Sequence, residues 1–374
     1  MDPIRILVVD DSPFMRKALE RMLQAPDIQV VGSARDGLDA LDKIRQLDPD
    51  MVTLDVEMPR LDGLGCLRRI MAEMPRAVLM VSSLTQEGAQ ATLDALALGA
   101  LDFIPKETSL ANASILQIQQ ELQEKVRKLA RSPRFRKARP VPPGQPGGAS
   151  AGALPPFSPA PGHPAPAPVP PAQAVARLGG LAGPRAELLA IGCSTGGPKA
   201  LQDLLPALPR DLPVPCLVVQ HMPATFTRPF AERLNSLCQV RVKEGEHQEA
   251  LQPGCVYIAP GGMHMLYRQR SGAGALELSA EPATSLHRPS VDVLFQSIAD
   301  NCPRQVLAMI LTGMGSDGTS GMVSLKARGA HTLAEAEESC VVYGMPRAAF
   351  ERGCVDQVAP LQDMAGILRR HFQV

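Results

Sequence analysis

A serine stands in Gly192-Cys193-Ser194-Thr195-Gly196-Gly197, directly behind the apolar run Leu188-Leu189-Ala190-Ile191. Glycines tolerate backbone angles barred to other residues and let a substrate come close. The pattern therefore reads as a buried strand that turns sharply through Ser194 and restarts as a helix at Pro198. The N-terminus of such a helix offers unpaired N–H groups to a developing oxyanion. That chemistry is nucleophilic catalysis by a hydroxyl, and the plainer reading is a strand–helix turn with a solvated serine. A phosphate-binding G-x-x-x-x-G-K-[ST] loop is excluded, because Pro198 stands where its lysine would follow Gly197 and Lys199 where its hydroxyl residue would be. Cys193 adjoins Ser194, but at the end of a buried strand a cysteine is more often a small packed hydrophobe than a nucleophile.

Two further segments supply partners for the serine. Pro215 to Gln220 reads as a second buried strand with His221 at its C-terminal end. Val306 to Leu311 reads as a third, running into Thr312-Gly313-Met314-Gly315-Ser316-Asp317-Gly318. Parallel α/β sheets gather their sites at the carboxyl edge, so Ser194, His221 and Asp317 are expected on one edge. There His221 would take the serine proton, and Asp317 would orient the imidazole and stabilise its charged form. His264, after the possible strand Cys255-Val256-Tyr257-Ile258, is the alternative base. His247, His287 and His331 sit in polar or loop-like contexts and read as surface residues. Asp317 alone also fits the cap of a turn in a glycine-rich loop. The chain order Ser, His, Asp differs from the Ser, acid, His of α/β-hydrolases and argues against that fold.

The N-terminal part carries a second set of reactive groups. Asp10-Asp11 ends the strand-like run Ile4 to Val9, and Asp55 ends the run from Met51. Ser82 follows Val78 to Val81, and Lys106 follows Leu101 to Ile104. Clustered carboxylates repel one another unless a hard divalent cation neutralises them, and oxygen ligands favour Mg²⁺. An Asp beside Mg²⁺ and Lys106 reads as a phosphoryl acceptor, since both cations neutralise phosphoryl oxygens.

The elements that must hold these groups alternate as strand and helix, with a helix from Pro13 to Gln24 and a strand at Val30-Val31-Gly32. Ile115, Ile118, Leu122, Val126 and Leu129 recur at helical spacing and close the first domain. The basic residues Arg127, Lys128, Arg131, Arg134, Arg136 and Lys137 continue past that helix as a solvated extension. Proline and alanine dominate from Ala138 to Pro184, a composition that cannot bury a core and acts as an extended linker. With 374 residues the chain has room for two domains, and its formal net charge of zero favours neither nucleic acid nor an acidic membrane. Trp is absent and only 3% of residues are aromatic, so a base-stacking platform is not expected. No apolar stretch approaches bilayer-spanning length, and the N-terminus opens into a charged strand pattern without a signal peptide. Eight scattered cysteines without a C-x-x-C fit reduced thiols in the cytoplasm.

Assembled, these residues resemble the chemotaxis response-regulator protein-glutamate methylesterases, the CheB family. The similarity spans nearly all of the chain except the linker. Its C-terminal motifs are Ile-Gly-Cys-Ser-Thr-Gly-Gly-Pro, Gln220-His221-Met222, Arg288-Pro289-Ser290-Val291-Asp292, Thr-Gly-Met-Gly-Ser-Asp-Gly and Val342-Tyr343-Gly344-Met345-Pro346. The resemblance implies an α/β fold class. A flavodoxin-like receiver with a parallel five-stranded sheet would fill 1–131, and a proline/alanine-rich linker 132–184. A doubly wound, mostly parallel α/β methylesterase domain would fill 185–374. It carries over an acidic pocket onto Asp10, Asp11 and Asp55, with Asp55 phosphorylated and Mg²⁺ bound there. The switch hydroxyl falls on Ser82, the switch aromatic on Phe103 and the lysine on Lys106. The triad falls on Ser194, His221 and Asp317, with Thr195 and Met314 lining the site and the Met314 N–H serving the oxyanion. Receivers usually have Pro after the lysine, whereas here Glu107 follows Lys106 and Pro105 precedes it. Cys193 stands where a smaller residue is common, and the linker is long for the family.

The activity so implied is hydrolysis of glutamate methyl esters on methyl-accepting chemotaxis receptors, with methanol released and specific glutamines deamidated. It needs no cofactor in the esterase step. A chemotaxis histidine kinase would be the phosphodonor, and an unphosphorylated receiver would occlude the esterase. Neither nucleic acid nor membrane insertion is expected. Two rival classes remain: a receiver joined to a binding or DNA-binding output domain, and an esterase of similar fold with another substrate. The first leaves the three strand-end residues unexplained and finds no recognition helix.

Overall fold

In the computed structural model, residues 2–83, 85–106, 115–132, 184–270 and 272–374 are described. Glu107 and most of the expected linker, 133–183, lie outside them.

The first unit alternates β1 (Ile4–Val9), α1 (Pro13–Met22), β2 (Ile28–Ala34), α2 (Gly37–Leu47), β3 (Met51–Asp55), α3 (Gly63–Glu73), β4 (Ala77–Ser82), α4 (Gln86–Leu98), β5 (Asp102–Pro105) and α5 (Ile115–Leu129). Every residue of β3 and β4 is buried, as expected of central parallel strands covered by helices on both faces. The sheet order is β2-β1-β3-β4-β5, parallel throughout, with β5 on the edge. Ser12, Asp36 and Asp62 cap α1, α2 and α3 by accepting first-turn N–H groups. Leu122, Val126 and Leu129 seat α5 on one face of this sheet.

The second unit runs β6 (Leu188–Cys193), α6 (Gly197–Leu204), β7 (Cys216–Gln220), α7 (Ala224–Leu237), β8 (Arg241–Glu244), β9 (Cys255–Ile258), β10 (His264–Arg270) and β11 (Ala273–Ser279). It continues through α8 (Val291–Asn301), β12 (Val306–Ile310), α9 (Thr319–Ala327), β13 (His331–Glu335), α10 (Met345–Glu351), β14 (Gln357–Ala359) and α11 (Leu361–Phe372). Seven strands order as β14-β13-β12-β6-β7-β9-β8 with parallel pairings, while β10 and β11 form a separate antiparallel hairpin. One face is packed by α6, α7 and α11, the other by α8, α9 and α10. The winding reverses between β6 and β12, which opens a crevice at their carboxyl ends.

The two units pack together there. Helix α4 lies against α6 and α7. The Phe103 ring stacks on Phe226 with centroids 4.5 Å apart, and Arg233 pairs with Asp94. Val341 and Val342, with Met314 beside them, join an apolar cluster of the first unit.

Candidate active site

Strand β6 delivers Ser194 to the crevice. The Ser194 N–H donates to Thr312 O at 3.1 Å, and Gly197 N–H donates back to Ser194 O at 2.8 Å, closing the turn. Gly196 sits at φ 81°, in the left-handed region. A Cβ on Gly197 would lie 2.0 Å from Gln220 Oε1, so the close approach of strand and helix requires glycine. The Cys193 thiol is fully buried, donates to Gln220 Oε1 at 3.2 Å, and is pushed far above its ordinary pKa by burial. It is a packing residue.

Strand β7 delivers His221. His221 N–H donates to Cys193 O at 3.2 Å, and Gln220 Nε2 donates to both Ser194 O and His221 O at 3.0 Å. His221 Nδ1 is 3.2 Å from Ser194 Oγ, and Nε2 is 2.7 Å from Asp317 Oδ2. Asp317 comes from the loop after β12. Its Oδ1 accepts Ser290 Oγ–H at 2.8 Å and Asp292 N–H at 3.0 Å, and its Oδ2 accepts Val291 N–H at 2.7 Å. The carboxylate thus caps α8 and holds the imidazole at once, and the turn it caps is not one in its own glycine-rich loop. Burial raises its pKa, but the bond and charge of His221 and the two backbone donors outweigh burial and hold it well below the usual range. An ionised Asp317 can only accept, so the neutral ring carries its proton on Nε2 and turns the Nδ1 lone pair toward Ser194. The arrangement can deprotonate Ser194 for attack on an acyl carbon.

The other candidates fall elsewhere. His264 is fully buried at the start of β10, with Nε2 3.3 Å from Pro282 O, and has no part in the chain of three. His247 is exposed, and His331 meets the His371 ring edge-on. The surface reading of His287 is corrected: its ring is half-buried and stacks on His221. Thr195 is buried beside Ser194, and its hydroxyl donates to Asp102 Oδ2 of β5 at 2.8 Å. Lys125 Nζ of α5 reaches the same carboxylate oxygen at 2.8 Å. Met314 is half-buried in the loop between β12 and Asp317.

At the carboxyl edge of the first sheet, carboxylate oxygens of Asp10, Asp11 and Asp55 lie within 4.8 Å of one another. Lys106 Nζ stands 2.8 Å from Asp10 Oδ2 and 2.7 Å from Asp55 Oδ2. Those two oxygens are buried and receive no well-directed hydrogen bond. Burial, with the charge of Asp10, pushes Asp55 up to about 6 against the pull of Lys106. An all-oxygen, electron-rich set with undirected buried acceptors fits a hard divalent cation such as Mg²⁺. The Ser82 hydroxyl donates to Gly88 O at 3.1 Å.

Comparison with known proteins places both units in known families. The CheB methylesterase family profile matches residues 189–368, and that of the response regulator receiver domain matches 6–116. A protein-glutamate methylesterase/protein-glutamine glutaminase of Oleidesulfovibrio alaskensis is 50% identical, over 97% of both chains. One of Nitratidesulfovibrio vulgaris is 48% identical over 98% of both. The chain belongs to the CheB methylesterase family. The Thermotoga maritima CheB methylesterase catalytic domain is 40% identical, covering 50% of this chain and 98% of that one, with a TM-score of 0.48.

Some supports of this CheB-family site escaped sequence reasoning. Glu335 ends β13 fully buried; its Oε2 accepts Thr312 N–H at 2.8 Å, while Thr312 Oγ1 donates to Thr195 O at 3.0 Å. Its signal is the same as that of the triad, a polar residue closing an apolar run, and Gln220 carries that signal too. His287 and Asp102 have no such mark.

Proposed function

We propose that this CheB-family chain is a phosphorylation-activated protein-glutamate methylesterase that also deamidates specific glutamines. Its substrates would be methyl-accepting chemotaxis receptors. The observation that carries the reading is the hydrogen-bonded chain Ser194–His221–Asp317, with contacts of 3.2 and 2.7 Å at one sheet edge. Ser194 Oγ attacks the γ-carbonyl of a glutamate methyl ester while His221 Nδ1 takes its proton. The oxyanion is received where Thr195 and Met314 line the turn, the Met314 N–H acting as donor. His221 returns the proton to the departing methanol. It then deprotonates a water that attacks the acyl-serine, freeing glutamate and restoring Ser194. An amide substrate follows the same course, with ammonia leaving.

Residues 1–131 serve as the receiver, 132–184 as the linker and 185–374 as the esterase. A histidine kinase would phosphorylate Asp55. Asp10, Asp11 and Asp55 would hold Mg²⁺, which neutralises phosphoryl oxygens. Lys106, already between Asp10 and Asp55, would pair with the phosphoryl group, and Ser82 would leave Gly88 O to bond it. With Phe103 stacked on Phe226 and Asp102 bonded to Thr195, the unphosphorylated receiver covers the turn beside Ser194. Eight free cysteines accord with a cytoplasmic protein.

The test is methanol release from methylated chemoreceptor membranes, by wild type and Ser194→Ala, with and without a small phosphodonor and Mg²⁺. Release that requires Ser194 and rises with phosphodonor supports both activity and switch. No release from any receptor preparation by the folded, phosphorylated chain overturns the substrate assignment.

A further inference from the structure

A second imidazole touches the reacting base. His287 lies face to face with His221, ring centroids 4.1 Å apart and planes inclined by 23°. It belongs to the turn that leads into α8. Just beyond that turn, Ser290 at the cap of α8 and Val291 and Asp292 in its first turn give Asp317 its three hydrogen bonds outside the triad. One short stretch therefore grips both partners of the nucleophile, His221 by a ring face and Asp317 by donors.

The need for the ring face follows from the geometry of the base. Contacts at Nδ1 and Nε2 define an axis about which an imidazole can still tilt. Such a tilt leaves both contacts, 2.7 Å at Asp317 and 3.2 Å at Ser194, at their lengths but swings the Nδ1 lone pair away from Ser194 Oγ. A stacked ring removes that freedom. The charges that act on His287 are those of His221, on which it stacks, of Asp317 and of Lys125 of the receiver. Burial and the charge of His221, with Lys125 adding to them against Asp317, push His287 down to about 4, so near neutral pH it meets His221 as an uncharged aromatic face. Such a face attracts a cation.

We infer that His287 is a positioning residue of the esterase, whose ring face fixes the plane of His221 between Ser194 and Asp317 and stabilises the imidazolium formed when the serine is deprotonated. The inference rests on the proposed triad. A stacked ring directs its nitrogens sideways and not into the ring beneath it. His287 therefore acts on the reaction through His221.

The experiment uses the full chain with phosphodonor and Mg²⁺, and follows methanol release from methylated receptor membranes across pH. Ser194→Ala, His287→Ala, His287→Phe and His287→Arg are compared with wild type. His287→Ala should lower kcat about 10- to 100-fold with KM nearly unchanged, as expected of a misplaced base. His287→Phe restores the face and should return kcat to within about threefold of wild type. His287→Arg sets a fixed cation against His221 and should move the acid limb of kcat/KM down by about one pH unit. Wild-type kcat in folded His287→Ala would overturn the inference. So would His287→Phe as impaired as His287→Ala, or an acid limb unmoved in His287→Arg. If His287→Ala does not fold, the Phe and Arg variants carry the test. Activity retained by Ser194→Ala would instead remove the triad reading itself.

Discussion

Asp102 is where the receiver takes hold of the turn beside Ser194, and Asp102→Ala isolates that hold. Its carboxylate accepts the Thr195 hydroxyl at 2.8 Å, with both residues almost fully buried. Lys125 Nζ shares the carboxylate at 2.8 Å, but it belongs to the receiver and stays with Asp102 when the units separate. Of the two Asp102 contacts, opening therefore breaks only that with Thr195, a hydrogen bond to a charged group with a net value of about 1.5–3 kcal/mol. In the alanine variant the closed form also keeps a buried Thr195 hydroxyl without that acceptor, whereas the open form hydrates it. The closed-to-open equilibrium should shift about 10- to 100-fold toward open. The readout is the initial rate of methanol release by the full chain, before and after phosphodonor and Mg²⁺. The unphosphorylated rate should rise by that factor, up to the phosphorylated plateau, and stimulation should shrink in proportion. Asp102→Asn keeps an acceptor without the charge and should lie between. An unchanged basal rate with intact stimulation in a folded Asp102→Ala chain would refute the latch.

Other outcomes follow from the same contacts. Asp317→Asn should lower kcat about 10⁴-fold, because an amide can stabilise the wrong tautomer of His221; single-turnover acylation of Ser194 would show whether the loss lies in the proton step. Asp55→Ala should keep the low basal rate and lose phosphodonor stimulation, and stimulation that survived would place the acceptor elsewhere. Acid stability should depend on His287. Its folded pKa of about 4 lies below the unfolded 6.5, so the unfolded chain binds the extra proton between them, and stability falls as pH drops through that window. Solvent screening of a ring only partly buried keeps the loss attributable to it below about 3.4 kcal/mol. Thermal melts of His287→Phe from pH 7.5 to 4.5 should show a smaller decline than wild type, and equal declines would place the acid sensitivity in other groups.

The triad and the receiver's acids were legible in the sequence for one physical reason. Parallel strands buried on both faces are written as unbroken apolar runs, so a polar residue that ends one is fixed at the carboxyl edge. Ser194, His221, Asp10, Asp55 and Ser82 all carry that mark. Asp317 does not end its strand directly, yet the loop after β12 is short enough to stay at the edge. His287 carries no mark, because Ser285-Leu286-His287-Arg288 is a polar turn without period, and only the folded path into α8 lays its ring on His221. Domain docking left a fainter trace. Ala89, Thr92, Leu93, Ala95 and Leu96 are all buried on α4, so that helix is covered on more than the single face a surface helix buries. A helix so apolar in a receiver already calls for a second partner, here α6 and α7. What the pattern does not specify is which surface that partner brings.

The edge position of β5 explains how one phosphoryl site can govern a distant hydroxyl. This strand has only four residues and, among the described residues, pairs with β4 alone, while its start meets the esterase. Asp102 and Phe103 at its start touch Thr195 and Phe226, while Lys106, just past its end, stands between Asp10 and Asp55. The Lys106 N–H also donates to Ser82 O at 2.6 Å, tying the end of β5 to the residue whose hydroxyl would turn toward a phosphoryl group. Any rearrangement that draws Lys106 and Ser82 toward Asp55 therefore pulls on a strand held by one ladder. An interior strand would resist, since neighbours on both sides fix its register. No relay through the receiver core is required by this reading: Lys106 beside Asp55 and Asp102 on Thr195 stand at the two ends of one short strand.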